Sequence, residues 1–326
     1  MKSRKTIYCE YQFIKSLPQD QLDDFYRFTN ESVIVFDMTF DQFVKESCEN
    51  SIFKYIMKRQ QAGSCNLKFD YDANSFNNDC KKANINSFNP IVLIYQTGKQ
   101  RKIENRCGQI TRQYGLLAAD QHDFLEKCNL DKDYGFAIKK RTESSWKSLL
   151  DKVPFYGNSL IIVDNYLLSD SNTFDLNLKS ILNFLLPETL ETEFNISFFT
   201  QDTNSTLKSK IYGIEELIKK LRPELIFTVN YFIDTRKLFH DRVIISNYFW
   251  MQCGAGFDLF GFNSKAKHST TVSIIYPFMQ SHVPWAVDAF SYLLQDTKET
   301  AKSAVNNGPV EQFYGKTKDN RLFKMQ

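Results

Sequence analysis

The sequence predicts an α/β protein with two α/β domains, and three observations predict it. Short apolar runs alternate with polar, helix-patterned stretches in both halves of the chain. The run PIVLIYQT (90–97) is continuously apolar, the pattern of a strand buried on both faces of a parallel sheet. From 158 to 234 the order is β-α-β-α-β, which requires crossover connections and a mainly parallel sheet flanked by helices. A length of 326 residues accommodates two domains, and 42% hydrophobic with 24% charged residues is a globular composition rather than a disordered one.

The first domain is expected to span 1–152. IYCEYQFI (7–14) reads as a strand and the segment from Ser16 or Pro18 as a helix. SVIVFDM (32–38) is the second strand. Residues 39–60 form one helix, with Phe40, Phe43, Val44, Ile52, Phe53 and Ile56 near helical spacing. The Asn- and Asp-rich stretch 64–89 reads as a long loop. After the strand 90–97 comes a basic helix, 99–115, closing at Gly115, then LLAAD (116–120) as a strand and 121–128 as a helix. The polar stretch 129–152 bridges to the next domain.

The second domain is expected over 153–305. Its strands are 158–168, 193–202, 224–234, 240–246, 248–253 and 270–278. Phe194, Ile196 and Phe198 alternate with polar partners in the second of these. Pro187 and Pro223 end the two crossover helices, and Pro284 begins a closing helix. Residues 306–326 read as a weakly ordered tail or a docking arm.

Composition bounds the function. A net charge of +3 is too mild to indicate nucleic-acid binding by itself, so local clusters carry more weight. Lys99, Arg101, Lys102 and Arg106 form one such basic patch, readable as a phosphate-backbone contact or as a solvated helix face; Lys139, Lys140 and Arg141 form another. The 29 Phe and 16 Tyr reflect either an AT-rich coding bias or exposed stacking rings. Seven scattered cysteines without a C-x-x-C pair, and no secretory signal, predict reduced thiols and a cytoplasmic location. No apolar run has the length of a membrane span. Glu10, Asp37, Asp41 and Asp120 fall near strand ends. They could hold a divalent metal, as in PIN-like nucleases. Their spacing is read instead as helix caps and solvated strand ends, and no metal or cofactor is assigned.

Chemistry concentrates in FHDRVIISNYFWMQCGAGFDLFGFNSKAKHSTT (239–271), which holds two of the four histidines and three close glycines. The spacing His240-x-Arg242-x4-Asn247 has the geometry of the phospholipase D half-motif H-x-K-x4-D, with Arg for Lys and Asn for Asp. The longer pattern runs through His240-Asp241-Arg242, Asn247, Trp250, Gly254, Gly256, Phe257, Asp258 and Phe260 to His268-Ser269-Thr270-Thr271-Val272. It resembles the phospholipase D-like domain at the C-terminus of MIT-domain proteins, a resemblance extending over about 155–305.

The resemblance implies a phosphate pocket built from His240, Arg242, Asn247, Gly254, Gly256 and Thr270, with the glycines admitting an anion to backbone N–H groups. Asn247 lacks the charge that would support a catalytic imidazolium, and one copy of the motif is present, so a second would come from a homodimer. The expected activity is therefore non-catalytic binding of phosphate or polyanion, with nucleic acid as the ligand. The N-terminal domain would serve a protein partner, in the setting of a prokaryotic defence or mobile-element complex. Two alternatives stand beside it. One is a phosphodiesterase or nuclease using His240 and His268 as catalytic residues. The other is a peripheral module for membrane lipid head groups.

Overall fold

A computed structural model describes residues 5–70, 90–94, 106–128, 134–151, 153–155, 157–165, 171–201, 207–234, 239, 242–261, 263–277, 284–306 and 313–324. The chain divides into two compact units. The first is Met1–Asp131 with Pro277–Val287, the second Lys132–Tyr276 with Asp288–Met325.

The first unit is built on a wholly parallel sheet of β1 (Lys5–Cys9), β2 (Ser32–Phe36), β3 (Asn66–Phe69), β4 (Pro90–Ile94) and β5 (Leu117–Asp120), in the order β3-β2-β1-β4-β5. Strand order reverses between β1 and β4, the arrangement of a doubly wound sheet. β1 stops at Cys9, short of the expected 14, because Phe13 and Ile14 are buried from a short helix, Tyr11–Ser16. The expected single helix at 39–60 is two, Phe40–Glu49 and Ser51–Gln61. Asn50 breaks them: its backbone is extended (φ −119°, ψ 123°) and its side chain caps the second by accepting from the Ile52 N–H at 2.8 Å. Thr39 and Gln42 form a reciprocal capping box at the start of the first. Many of the phenylalanines are core. Phe36, Phe43, Phe53 and Phe69 form one ring cluster, and Phe13, Phe25, Phe28 and Phe124 another.

The second unit holds an eight-stranded mixed sheet. Its strands are β6 (Tyr134–Ile138), β7 (Ser159–Val163), β8 (Phe194–Thr200), β9 (Phe227–Ile233), β10 (Val243–Ser246), β11 (Trp250–Cys253), β12 (Thr270–Ile275) and β13 (Phe313–Gly315), in the order β13-β9-β8-β7-β10-β11-β12-β6. β7, β8 and β9 pair in parallel through the crossover helices Ser171–Leu185 and Leu207–Leu221; the other neighbours are antiparallel. The expected in–out alternation of β8 is absent. All seven of its residues are buried, as a strand paired on both edges and covered on both faces requires.

Two stretches read as peripheral are structural. Residues 134–150 supply the edge strand β6 and a helix, Trp146–Leu150, whose Trp146 is 1% exposed. Its indole N–H donates to Asn177 Oδ1 at 3.0 Å and to the Phe257 carbonyl at 3.2 Å. The C-terminal segment takes the docking-arm form. β13 pairs with β9, and Asn320 Nδ2 donates to Ser197 Oγ and the Leu160 carbonyl; Leu322 is wholly buried. Deleting 307–326 should therefore destabilise the protein by about 3 kcal/mol or more, from the apolar burial of Leu322 and Phe323 alone. Urea unfolding checks this; a dispensable tail would leave the midpoint unchanged.

Candidate functional site

The site forms where three antiparallel strands meet a tight turn. Arg242 precedes β10, and its carbonyl accepts from the Cys253 N–H at the end of β11 (3.1 Å). The chain then turns through Gly254-Ala255-Gly256 beside the start of β12. Four successive amide hydrogens are spent in this turn. Gly254 donates to the Thr271 carbonyl (3.4 Å), Ala255 to Thr270 Oγ1 (3.0 Å), Gly256 to the Cys253 carbonyl (3.0 Å) and Phe257 to Asp164 Oδ2 (2.6 Å). The two glycines relieve tight contacts, and Gly256 also takes a left-handed backbone. A Cβ on Gly254 would stand 3.1 Å from Thr270 Oγ1, and Gly256 has φ +87° with a Cβ site 3.1 Å from Asp164 Oδ2. The turn is thus a self-satisfied clamp rather than an anion nest, which corrects the expectation for the glycine backbone.

Side chains, rather than free backbone amides, line the adjoining hollow. Arg242 Nη1 donates to the Gly254 carbonyl at 3.0 Å, which ties one side of the guanidinium to the turn. Arg242, Gly254, Lys267, His268, Thr270 and Thr271 line a single open hollow of about 940 Å³. Lys267 Nζ lies 2.6 Å from Asp258 Oδ2, and Asp258 Oδ1 accepts from Asn177 Nδ2 at 2.9 Å, so the hollow's carboxylate is already neutralised. His268 is exposed, and no hydrogen bond orients its ring among the described residues.

The loop after β6 joins the rim. The Lys140 N–H donates to Ser269 Oγ (2.9 Å) and the Arg141 N–H to the Ala266 carbonyl (2.9 Å). The exposed Lys139, Lys140 and Arg141 are thereby held beside Ile138, which also lines the hollow. Arg141 takes a left-handed backbone (φ 68°), an uncommon conformation for a residue with a Cβ.

The predicted residues separate cleanly. Arg242, Gly254, His268 and Thr270 meet in the hollow. Asn247 does not: it is 7% exposed, and its Oδ1 accepts from the Asn158 and Ser159 N–H groups at 3.0 and 3.1 Å. Gly256 packs on Asp164. His240 lies outside the described residues, as do Lys99, Arg101 and Lys102. Arg106 is described and pairs with Glu10 at 2.5 Å, so that member of the basic patch faces a carboxylate. Trp250 stacks on Phe290 in the core. Lys267 and the part played by Asp258 were missed, although Lys-x-Lys before His268 was a visible cue.

The acids of the first unit are occupied structurally. Asp37 accepts from the Tyr11 N–H (2.7 Å), and burial pushes its carboxyl above the usual range. Asp120 accepts from the His122 and Asp123 N–H groups, and Asp41 sits in the first turn of its helix. No cluster of three metal-ligating side chains occurs among the described residues, and no helix among them is long and apolar enough to cross a membrane.

No protein-family model matches the chain, and no curated protein matches it. Among solved structures it is similar to TrmBL2, an archaeal chromatin protein described as showing a novel mode of DNA binding. The identity is 12%, over 55% of this chain and 59% of that one, with a TM-score of 0.26. A likeness so slight carries neither fold nor function across.

Two measurements check this geometry. Asn247→Ala would strand two buried N–H groups and should cost about 2–4 kcal/mol in urea unfolding. Affinity for a phosphate ligand, measured on the folded fraction, should stay the same. Burial raises the Cys253 thiol to about 11 and Cys107 to about 12, from 9.0. The neutral thiols are favoured in the folded state. Their contribution is therefore complete below pH 9.0 and is lost as pH rises toward 11 and 12. Stability should decline over that window, and less steeply in the Cys107→Ala/Cys253→Ala variant; equal slopes would place the titration elsewhere.

Proposed function

We propose that the second unit is a non-catalytic, phospholipase D-like platform that binds the phosphates of a nucleic acid. The observation that carries this reading is the convergence of Arg242, His268 and Thr270 on one open hollow, whose carboxylate Asp258 is neutralised by Lys267, with three further cations on the adjoining loop. A guanidinium offers bidentate geometry to phosphate, and lysine and threonine add point contacts. The spread of Lys139, Lys140 and Arg141 beyond the hollow suits a polymer with repeated phosphates better than a single head group.

Two features argue for binding over cleavage. The residue at the position of the family's aspartate, Asn247, is buried and committed to two backbone amides. A histidine acting as nucleophile or acid requires a partner to orient it, and His268 has none among the described residues. The β-α-β-α-β order followed by antiparallel β10, β11 and β12 is compatible with the phospholipase D-like reading.

In fluorescence anisotropy with a labelled blunt duplex oligonucleotide at fixed salt, Arg242→Ala should weaken binding about tenfold while leaving the unfolding midpoint near that of the parent. Unchanged affinity in a folded variant removes Arg242 from the site. Vesicles bearing phosphoinositides that float the protein more strongly than oligonucleotide retains it would favour the lipid reading. Metal-independent cleavage of plasmid or RNA that disappears in His268→Ala would overturn the non-catalytic one. Arg141→Gly should raise stability by about 1 kcal/mol by relieving its left-handed backbone, yet lower oligonucleotide affinity through the lost charge. A glycine variant that gains stability and keeps full affinity would mean the rim cations are not used.

A further inference from the structure

The first unit carries a second hollow, of about 670 Å³, at the end of its sheet opposite the strand-end acids. It lies between the helices Leu22–Phe28 and Ser51–Gln61 and the segments just before β2 and β3. Tyr26 and Tyr55 stand side by side in it, with ring centroids 4.1 Å apart and planes at 35°. Tyr55 is 43% exposed and lines the hollow.

Arg59 braces the site from below, donating to the Tyr26 carbonyl and, at 2.8 Å, to Asn30 Oδ1. Arg27 and Lys58 flank it; both are exposed and neither has an ion-pair partner among the described residues. Asp23 is the one carboxylate among the residues lining it. The phenol of Tyr26 is held neutral well into the alkaline range, first by burial and then by the neighbouring Tyr55 and Asp23.

An aromatic pair held by a braced guanidinium, with a flexible cation on either side, matches one ligand chemistry closely. A flat unsaturated ring stacks on tyrosine whatever its edge groups, and the phosphates joined to it meet Arg27 and Lys58. Duplex nucleic acid presents no free base face, and an acidic peptide gives the rings nothing flat to stack on. We propose that this hollow binds single-stranded nucleic acid, with an unpaired base on Tyr55 and its neighbouring phosphates on Arg27 and Lys58. The site shares no residue with the hollow of the second unit and does not depend on the function proposed there.

The test uses the full chain carrying Arg242→Ala, which weakens the second-unit hollow, and a fluorescein-labelled oligothymidylate of about 12 nucleotides. Tyr55→Ala should weaken binding by about tenfold or more, whereas Tyr55→Phe should keep it within about twofold. Lys58→Ala should make the dependence of log affinity on log salt shallower by about 0.7. Unlabelled single strand should displace the probe, and blunt duplex or polyglutamate should do so poorly. The proposal is overturned if the parent does not bind the probe, if Tyr55→Ala binds as well as the parent, or if duplex or polyglutamate competes as well as single strand. Tyr55 is half-exposed on a helix, so its variants are expected to fold, and circular dichroism verifies that each does.

Discussion

The second unit depends on how the turn after β11 is pinned. Asp164, at the end of a parallel strand and 2% exposed, accepts the Phe257 N–H from below. Thr270 accepts the Ala255 N–H from the side. Between these anchors the backbone passes close enough that a Cβ at Gly254 or Gly256 would stand 3.1 Å from Thr270 Oγ1 or Asp164 Oδ2. Because the amide hydrogens all turn inward, the Gly254 carbonyl is left to hold Arg242. The same network that satisfies the buried backbone therefore aims the guanidinium, and what remains for a ligand is a wall of side chains.

The aromatic stretch downstream extends this logic. Phe257 and Phe260 pack on Trp146, whose indole shares Asn177 with the Phe260 N–H. Asn177 also donates to Asp258, which in turn neutralises Lys267. One amide on a crossover helix thus connects the core to the charge balance of the hollow. A buried polar group that makes at least four hydrogen bonds is costly to disturb, which fits its wholly buried position.

Much of this was legible in the sequence, and the failures have physical causes. Strand–helix alternation pointed to both sheets because burial on two faces leaves apolar runs, as in SLIIV. It misjudged β8, where phenylalanines, a serine and an asparagine are all buried because hydrogen bonding within the unit satisfies the polar ones. It misjudged the 134–150 stretch, whose charges cover an edge strand and a buried tryptophan that composition alone cannot reveal. The C-terminal arm carried too few apolar residues to announce a strand, yet one strand pairing and Asn320 suffice to fix it. Residue type and spacing singled out Arg242, Gly254, His268 and Thr270, which line one hollow. They could not separate Asn247 and Gly256, which serve the backbone, from residues that face the hollow, since hydrogen-bond direction is not written in a spacing. Nor could they see that Lys139, Lys140 and Arg141, about a hundred residues upstream of Arg242, would return to the rim through the pairing of β6 with β12.

The central claim is that a phosphate enters the hollow and meets Arg242 and His268 together. The most direct measurement is side-chain nitrogen NMR of the full chain titrated with inorganic phosphate and then with an oligonucleotide. The account predicts that the Arg242 guanidinium and His268 imidazole resonances shift in concert, to one common saturation point, while the Asn247 amide stays still. Shifts confined to the exposed lysines, or movement of Asn247 with Arg242 unmoved, would contradict it.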